Sequence, residues 1–324
     1  MTQSKAALLS GTRILDLTGE PAALAGRILA DLGAEVVRVE PAEGDPLRAL
    51  PPFLNDAQGS GLSLRFAAWG AGKRSVELPA GDAAFRSLLR GADVVMETPG
   101  WPGSFEIEEA DVAHAVWLRV TPFGEHGPRS RWSASDLGVM AASGNMFSTG
   151  YPDRAPVRST QPTAYAHVGP EAAFAVLSAL ATNRPQRIDL SMQEAVVVAN
   201  MSGVGQAFRG GSRGRRSGAQ MGKTREIWHT SDGFVSYGLR GGRARVPSLE
   251  TLAAMLAESG LATEAWRDRD WSTFDQFKAS DEELRALQEP LEKLFASKTM
   301  VELYEKACET NLMLAPVNSP HEIL

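Results

Sequence analysis

The chain carries one cysteine, Cys308, in 324 residues. An internal disulfide is therefore excluded, and a reducing compartment is expected. Cys308 falls in a stretch, 300–311, that reads as helix, where core packing is expected of it rather than a reactive thiol. Long apolar runs are also missing. None reaches the length of a membrane span, and the opening MTQSKAALLSG lacks the extended apolar region of a secretory leader. These absences predict a cytoplasmic protein with no membrane attachment. Positive charge is not in surplus: 33 Lys and Arg stand against 39 Asp and Glu, for a net charge of −6. That balance argues against a general nucleic-acid or membrane surface. No internal repeat is visible. What is present, 43% hydrophobic residues, suffices for a sizeable core in one large or two modest domains.

Residues 11–48, GTRILDLTGEPAALAGRILADLGAEVVRVEPAEGDPLR, organise the rest. Thr12–Leu17 reads as a short apolar strand. Leu24, Ile28, Leu29 and Leu32 recur at helical spacing and predict a helix over Ala22–Leu32. Gly33 ends it where a left-handed residue is wanted. Glu35–Val39 reads as a second strand, so the stretch is a βαβ unit with a right-handed crossover. Ligands of such sheets sit at the carboxyl ends of the strands, here the Thr18–Ala22 turn and the segment after Glu40. One reading is a dinucleotide site, with Glu40 at the ribose-acid distance from Gly19. The turn speaks against it. TGEPAALAG is not GxGxxG, and Glu20 places negative charge at the helix N-terminus where a pyrophosphate would bind.

Further strands are predicted at Ser75–Leu78, Asp93–Glu97, Ala115–Val120 and Arg187–Leu190. Helices are predicted at Ala83–Leu89, Asp136–Met146, Pro170–Ala181 and Met192–Phe208. Such alternation argues for a parallel sheet covered on both faces. Residues 45–72, rich in Pro and Gly, are expected to be irregular. The expected fold is α/β: a Rossmann-like large domain over 1–208, a linker over 209–226, and a smaller α+β domain over 227–324. The small domain is given a strand at Phe234–Leu239 and helices at Pro247–Glu258, Glu282–Leu294 and Met300–Asn311. Residues 209–225, RGGSRGRRSGAQMGKTR, are basic and glycine-rich without an aromatic. An RNA contact is one reading; a flexible crossing between domains is favoured.

A series of motifs then follows in a familiar order. LDLTGEPAALAGRILADLGAEVVRVEPAEGDPLR opens it. GKRSVEL (72–78), ADVVMETPGWPGS (92–104), TPFGEHGP (121–128), the Asp136–Gly144 helix, RIDLSMQEA (187–195), HTSDGFV (229–235) and LAPVNSPHEI (314–323) come after. Together they resemble the family III CoA-transferases, the CaiB/BaiF family, across nearly the whole chain. The resemblance implies that family's fold. It also implies transfer of CoA between an acyl-CoA thioester and a carboxylate, with coenzyme A or acyl-CoA as substrate, no permanently bound cofactor and no metal. A homo- or hetero-dimer is implied, including one with a catalytically intact family member. A further segment after Leu324, completing the large domain, is expected by the same comparison.

The family's nucleophile is an Asp that attacks the thioester to form a mixed anhydride, later an enzyme–CoA thioester. It lies four residues before a helix glycine. In GPEAAFAVLSAL (169–180) that glycine is Gly169, and the count back reaches Tyr165, which cannot form an acyl anhydride. Neighbouring Ala164 and Ala166 are no better, so no catalytic residue is assigned. The nearest carboxylates are Asp136, expected to cap or orient a helix, and Glu171, expected in a first helical turn favouring its dipole. His167 is expected to be packed or solvent-facing. Racemases of the family use a His, an Asp and a Glu; Ser135, Tyr165 and Gly241 stand there, so that activity is the weakest reading. CoA contacts are thinned, with Thr98 where the family has Asn. Arg38, Lys73 and Arg74 are candidate phosphate contacts near the carboxyl edge of the sheet, surface cations on a turn being the alternative. Three roles remain: an active transferase with a displaced nucleophile, the non-catalytic subunit of a heteromeric or split enzyme, or a non-enzymatic binding or scaffold protein. The last two are favoured.

Overall fold

The computed structural model describes residues 7–56, 61–79, 81–211 and 214–323. Its opening is β1 (Arg13–Leu17), α1 (Ala23–Asp31) and β2 (Glu35–Glu40), as the spacing predicts. Then come α2 (Leu64–Gly70), β3 (Arg74–Glu77), α3 (Ala83–Arg90), β4 (Val94–Glu97), α4 (Glu109–Val112) and β5 (Val116–Thr121). After these lie α5 (Asp136–Ala142), α6 (Asn145–Ser148), α7 (Thr163–Leu180), β6 (Gln186–Ser191), α8 (Met192–Val197) and α9 (Met201–Gly210). The six strands form one parallel sheet in the order β3-β2-β1-β4-β5-β6. The order turns back on itself between β1 and β4, so that point is where a crevice opens above the strands.

Side chains alternate along each strand. Ile14, Val36, Val94, Met96, Val116 and Leu118 face one side, with α1, α5, α7 and α8. Leu15, Leu17, Val39, Val95 and Trp117 face the other, with Phe85 and Leu89 of α3 and Val112 of α4. Both faces are thus covered, and β4, at the centre, is buried throughout. On the first face α1 packs along α7. Gly169 is the contact point: a Cβ there would come within 2.7 Å of the Leu24 Cβ. Its absence lets the two helix backbones approach.

The chain divides into two compact units. The first comprises Met1–Ser148 and Val157–Gly214, the second Thr149–Pro156 and Arg215–Leu324. The second unit holds a hairpin of β7 (Gln220–Met221) and β8 (Thr224–Arg225), and a sheet of β9 (Ile227–His229), β10 (Phe234–Ser236) and β11 (Ala315–Pro316). Helices α10 (Val246–Glu258), α11 (Asp281–Ala296), α12 (Met300–Glu309) and the short α13 (Pro320–Ile323) belong to it as well. Trp228, Trp266, Trp271, Phe274 and Phe295 fill its core. Among the described residues no helix is long and apolar enough to cross a membrane.

Several expectations are corrected. The stretch 45–72, of which 57–60 lie outside the described residues, contains α2, because Ser63 accepts a hydrogen bond from the Phe66 amide and caps it. The helix predicted from Pro170 begins seven residues earlier, at Thr163, so Pro170 lies inside α7 and Glu171 is not in a first turn. The helix predicted over Met192–Phe208 is broken at 198–200, after a run of β-branched valines and at Asn200, whose backbone is not helical (φ −108°, ψ 31°). The helix over Asp136–Met146 stops at Ala142, where Gly144 turns left-handed (φ +79°). The linker at 209–226 includes residues 212 and 213, which lie outside the described residues. Its later part is the β7–β8 hairpin, turned at Gly222 (φ +65°). Cys308 is exposed rather than packed, because α12 turns Leu303 to the core and Cys308, five residues on, away from it.

Replacing Gly169 with Ala forces α1 and α7 apart. Gly169→Ala is expected to lower stability by about 1–3 kcal/mol in thermal or urea unfolding, against the usual gain for Gly→Ala inside a helix.

Candidate functional site

The crevice at the switch point is built from three elements. After β1 the chain turns through Thr18 and Gly19; after β4 it turns through Thr98 to Trp101. The Gly19 amide donates to Thr98 Oγ1 at 2.6 Å, tying the two turns together. A side chain on Gly19 would overlap the Trp101 indole, so the indole lies directly on the bare backbone. Tyr165, from α7, meets Trp101 edge-on, with ring centroids 6.0 Å apart and planes at 90°. Tyr165 is 4% exposed, and burial pushes its phenol up, away from ionisation.

The path from sequence to this position is short. Gly169 is fixed against Leu24 by helix packing, and a residue four positions earlier shares its face of α7. That face carries Tyr165 to the switch point. Asp136, the first residue of α5, accepts a hydrogen bond from the Tyr165 amide at 3.2 Å and so closes the free N-terminus of α7 from outside. Desolvation raises its carboxyl, with the α7 amides opposing. Ser135 caps α5 itself, accepting from the Gly138 amide at 3.4 Å. Glu171 lies six residues past Tyr165, about 240° around the helix, and is half-buried on another face. His167 is exposed. Gly241 belongs to the second unit, where a Cβ would overlap the Phe274 carbonyl.

Beside the crevice, under α1, lies a charged cluster. β1 and β2 place Asp16 directly opposite Arg38 on the face that α1 covers. Asp16 is fully buried. Lys73 Nζ lies 2.7 Å from its Oδ2, Arg38 Nη1 3.3 Å from its Oδ1, and the Thr18 hydroxyl donates at 2.6 Å. Lys73 also donates to the Ala23 carbonyl at 2.6 Å. It reaches past α1 because Gly26 has no side chain: a Cβ there would stand 2.5 Å from Asp16 Oδ2 and 2.9 Å from Lys73 Nζ. Arg38 turns its other edge to Asp45 at 2.8 and 2.6 Å. The Asp45 amide donates to Glu40 at 3.0 Å, and Arg48 grips Glu40 with two bonds of 2.7 Å. Burial would raise the Asp16 carboxyl, but Lys73 and Arg38 together hold it below the usual range. The bonds from Arg48, then those from Ser75 and the Asp45 amide, hold Glu40 down to about 2 against its burial.

The three carboxylates Asp16, Asp45 and Glu40 balance the three cations Arg38, Lys73 and Arg48, so the cluster has no net charge. Arg38 and Lys73 are buried in it, and Arg48, its side chain 48% exposed, is stacked 3.9 Å over the Phe66 ring. These residues line a cavity of about 110 Å³ together with Trp69 of α2. Arg74 borders the same cavity. Its guanidinium pairs with Glu35, the first residue of β2, at 2.8 Å, which puts the charge at the amino end of the sheet rather than at the carboxyl edge. Glu20, which the sequence places unhelpfully at the start of α1, is matched by Arg65 of α2 at 2.6 Å. Among the described residues no group of His, Cys, Asp and Glu is arranged to hold a metal ion.

Sequence reasoning passed over Asp16, Asp45, Arg48 and Trp101. A signal for the first was present. In RILDL, flanked by covered strands, Asp16 alternates with Leu15 and Leu17 and must point into the opposite apolar layer, which demands a buried cation. For Trp101 there was no such signal, since its partner Gly19 is set by the tertiary fold.

The sequence model described as CoA-transferase family III matches residues 9–324. The chain is 30% identical, over 96% of its length and 79% of the relative's, to succinyl-CoA:(R)-benzylsuccinate CoA-transferase subunit BbsE of Thauera aromatica. It is 31% identical, over 92% of its length, to a probable CoA-transferase of Mycobacterium tuberculosis, Rv1866, of which it spans 38%. Among solved structures, a CAIB/BAIF family protein from Brucella suis superposes with a TM-score of 0.79 at 23% identity, covering 98% of this chain and 86% of that one. That likeness shows the fold.

Two outcomes test the cluster. Asp16→Asn leaves Lys73 buried without its counter-charge and is expected to cost about 3–5 kcal/mol in urea unfolding. Glu40, depressed in the folded state, stabilises above its ordinary value of 4.5, and that contribution is lost as pH falls toward about 2. Arg48→Ala is expected to cost about 1–2 kcal/mol at neutral pH and to make the fall in stability between pH 4.5 and 2 shallower than in the wild type.

Proposed function

This chain belongs to CoA-transferase family III, and we propose that it serves as the subunit without a nucleophile in a two-chain CoA-transferase. The observation that carries the reading is Tyr165. It occupies the α7 position four residues before Gly169, on the helix face that points to the switch point, and it is buried there with its phenol neutral. CoA transfer through an enzyme-bound acyl group needs a carboxylate, because an acyl anhydride and then an enzyme thioester must form. A neutral phenol supports neither step.

The nearby carboxylates do not replace it. Asp136 is engaged at the α7 N-terminus, and Glu171 projects from a different face of the helix. The missing group therefore comes from a partner, a family III chain with Asp at the matching position. A relative similar over nearly the whole chain is itself named as a subunit, which supports that arrangement. The substrates are of the family's class: an acyl-CoA donor and a carboxylate acceptor, with no resident cofactor. Arg48, half exposed, is the cluster's most accessible cation and could turn to a phosphate by giving up Glu40; Arg38 and Lys73 are buried and could do so only by giving up Asp16 or Asp45. The reducing cytoplasm suits such chemistry and the exposed Cys308.

A binding role without chemistry is the second reading, favoured by the electrical neutrality of the Asp16 cluster. A trapping experiment separates the possibilities. The purified chain is treated with a panel of acyl-CoAs and then hydroxylamine, and its peptides are examined by mass spectrometry. No hydroxamate is expected on this chain alone. With an Asp-bearing family III partner, CoA transfer is expected, and the hydroxamate appears on the partner. A hydroxamate at Asp136, Glu171 or any other carboxylate of this chain overturns the subunit reading. Absence of transfer with every partner tried favours binding alone.

A further inference from the structure

At the switch point the Trp101 indole stands directly against the Gly19 backbone. We infer that Trp101 is a lock on the switch point: its indole, braced by Tyr165, fills the space between the β1 and β4 turns and excludes an acyl thioester from this chain. This inference rests on the subunit reading and deepens it by assigning which chain carries the acyl group.

Four observations meet at the indole. The Gly19 backbone is bare, and the indole rests where a side chain would stand. The Gly19 amide, at the position where a turn at the start of a helix offers its N–H to a ligand, is already spent on Thr98 at 2.6 Å. Thr98 itself is 1% exposed, so it offers nothing outward. Tyr165 stands edge-on against the indole's other side, the favourable geometry for two aromatic rings, and is itself buried in the first core. An arriving thioester would have to displace both rings and break the Gly19–Thr98 bond. The indole is delivered by a turn that passes through Gly100 (φ +73°) and Gly103 (φ +77°). Substituting Tyr165 alone would therefore not restore the site.

In a chain with an open crevice, a carboxylate oxygen attacks the thioester carbon, the C–S bond breaks, and CoA leaves as thiolate while an anhydride forms. The thiolate then attacks the enzyme's carbonyl and releases the acyl group as a carboxylate. Both steps need the sulfur within bonding reach of the residue four before the glycine, and in this chain Trp101 stands there.

The experiment uses a diazirine-bearing acyl-CoA on the full-length wild type, on Trp101→Ala, on Trp101→Phe and on Gly19→Ala, with peptide mapping after irradiation. Circular dichroism melts check that each variant is folded. The wild type is expected to show no label in peptides covering 18–20, 98–101 or 163–169. Trp101→Ala, and Gly19→Ala by pushing the indole out, are expected to gain label there at least tenfold, while Trp101→Phe stays near the wild-type level. Label in those peptides of the wild type, competed away by unlabelled CoA, overturns the lock whether or not any variant folds. Folded Trp101→Ala and Gly19→Ala proteins that stay unlabelled overturn it as well. These results are independent of hydroxylamine trapping: an open wild-type crevice with no trapped hydroxamate would remove the lock and leave the subunit reading in place.

Discussion

The ion pair between Asp16 and Lys73 carries the first unit. It sits beneath α1, at the carboxyl ends of β1 and β2, where strand alternation forces a carboxylate into an apolar layer. An isolated charge there would cost several kcal/mol. The fold answers with Lys73 from the approach to β3 and Arg38 from β2, then extends outward through Asp45, Glu40 and Arg48 until the last cation meets solvent. The placement of α1 depends on this, since Gly26 must lie close enough to admit the lysine. So does the β1 turn, because Asp16 also holds the Thr18 amide at 3.0 Å. The Gly19 backbone that follows is thereby set in place for whatever lies against it.

What lies against it differs in kind from the cluster. The cluster is polar and charge-balanced; against Gly19 stand two aromatic rings, Trp101 and, edge-on to it, Tyr165. The two features bear on separate parts of a CoA thioester. One concerns the phosphates, which need a cation that is not already neutralised. The other concerns the reacting carbonyl, which needs space and a carboxylate. Under the subunit reading the second falls to the partner chain, while the cations that could serve the first are each paired with a carboxylate here.

Much of this was legible before any coordinates. The strand and helix periodicities of 11–48 predicted the βαβ opening, and the alternation that followed predicted a covered parallel sheet. The count back from Gly169 reached Tyr165, which the fold sets edge-on against Trp101. What stayed hidden has physical causes. The stretch 45–72 looked irregular because its prolines and glycines mask a helix started by one side-chain cap, Ser63. The start of α7 was misplaced because Pro170 is an ordinary first-turn residue, and the external cap that permits an earlier start, Asp136, lies 29 residues away in sequence. Arg38 and Lys73 were read as open cations because a sequence shows a charge without its partner. Arg74 has its partner too, Glu35 at the start of β2.

The contact between Gly169 and Leu24 bears on how such proteins are recognised. The glycine is needed because two helix backbones cross there; the residue one turn earlier is chosen by whatever reaction the crevice performs. Packing and chemistry thus impose separate demands on adjacent turns of one helix, and either can be relaxed while the other persists. A pattern that finds the family through this glycine reports a helix crossing. It is silent on whether a bond is made or broken beside it.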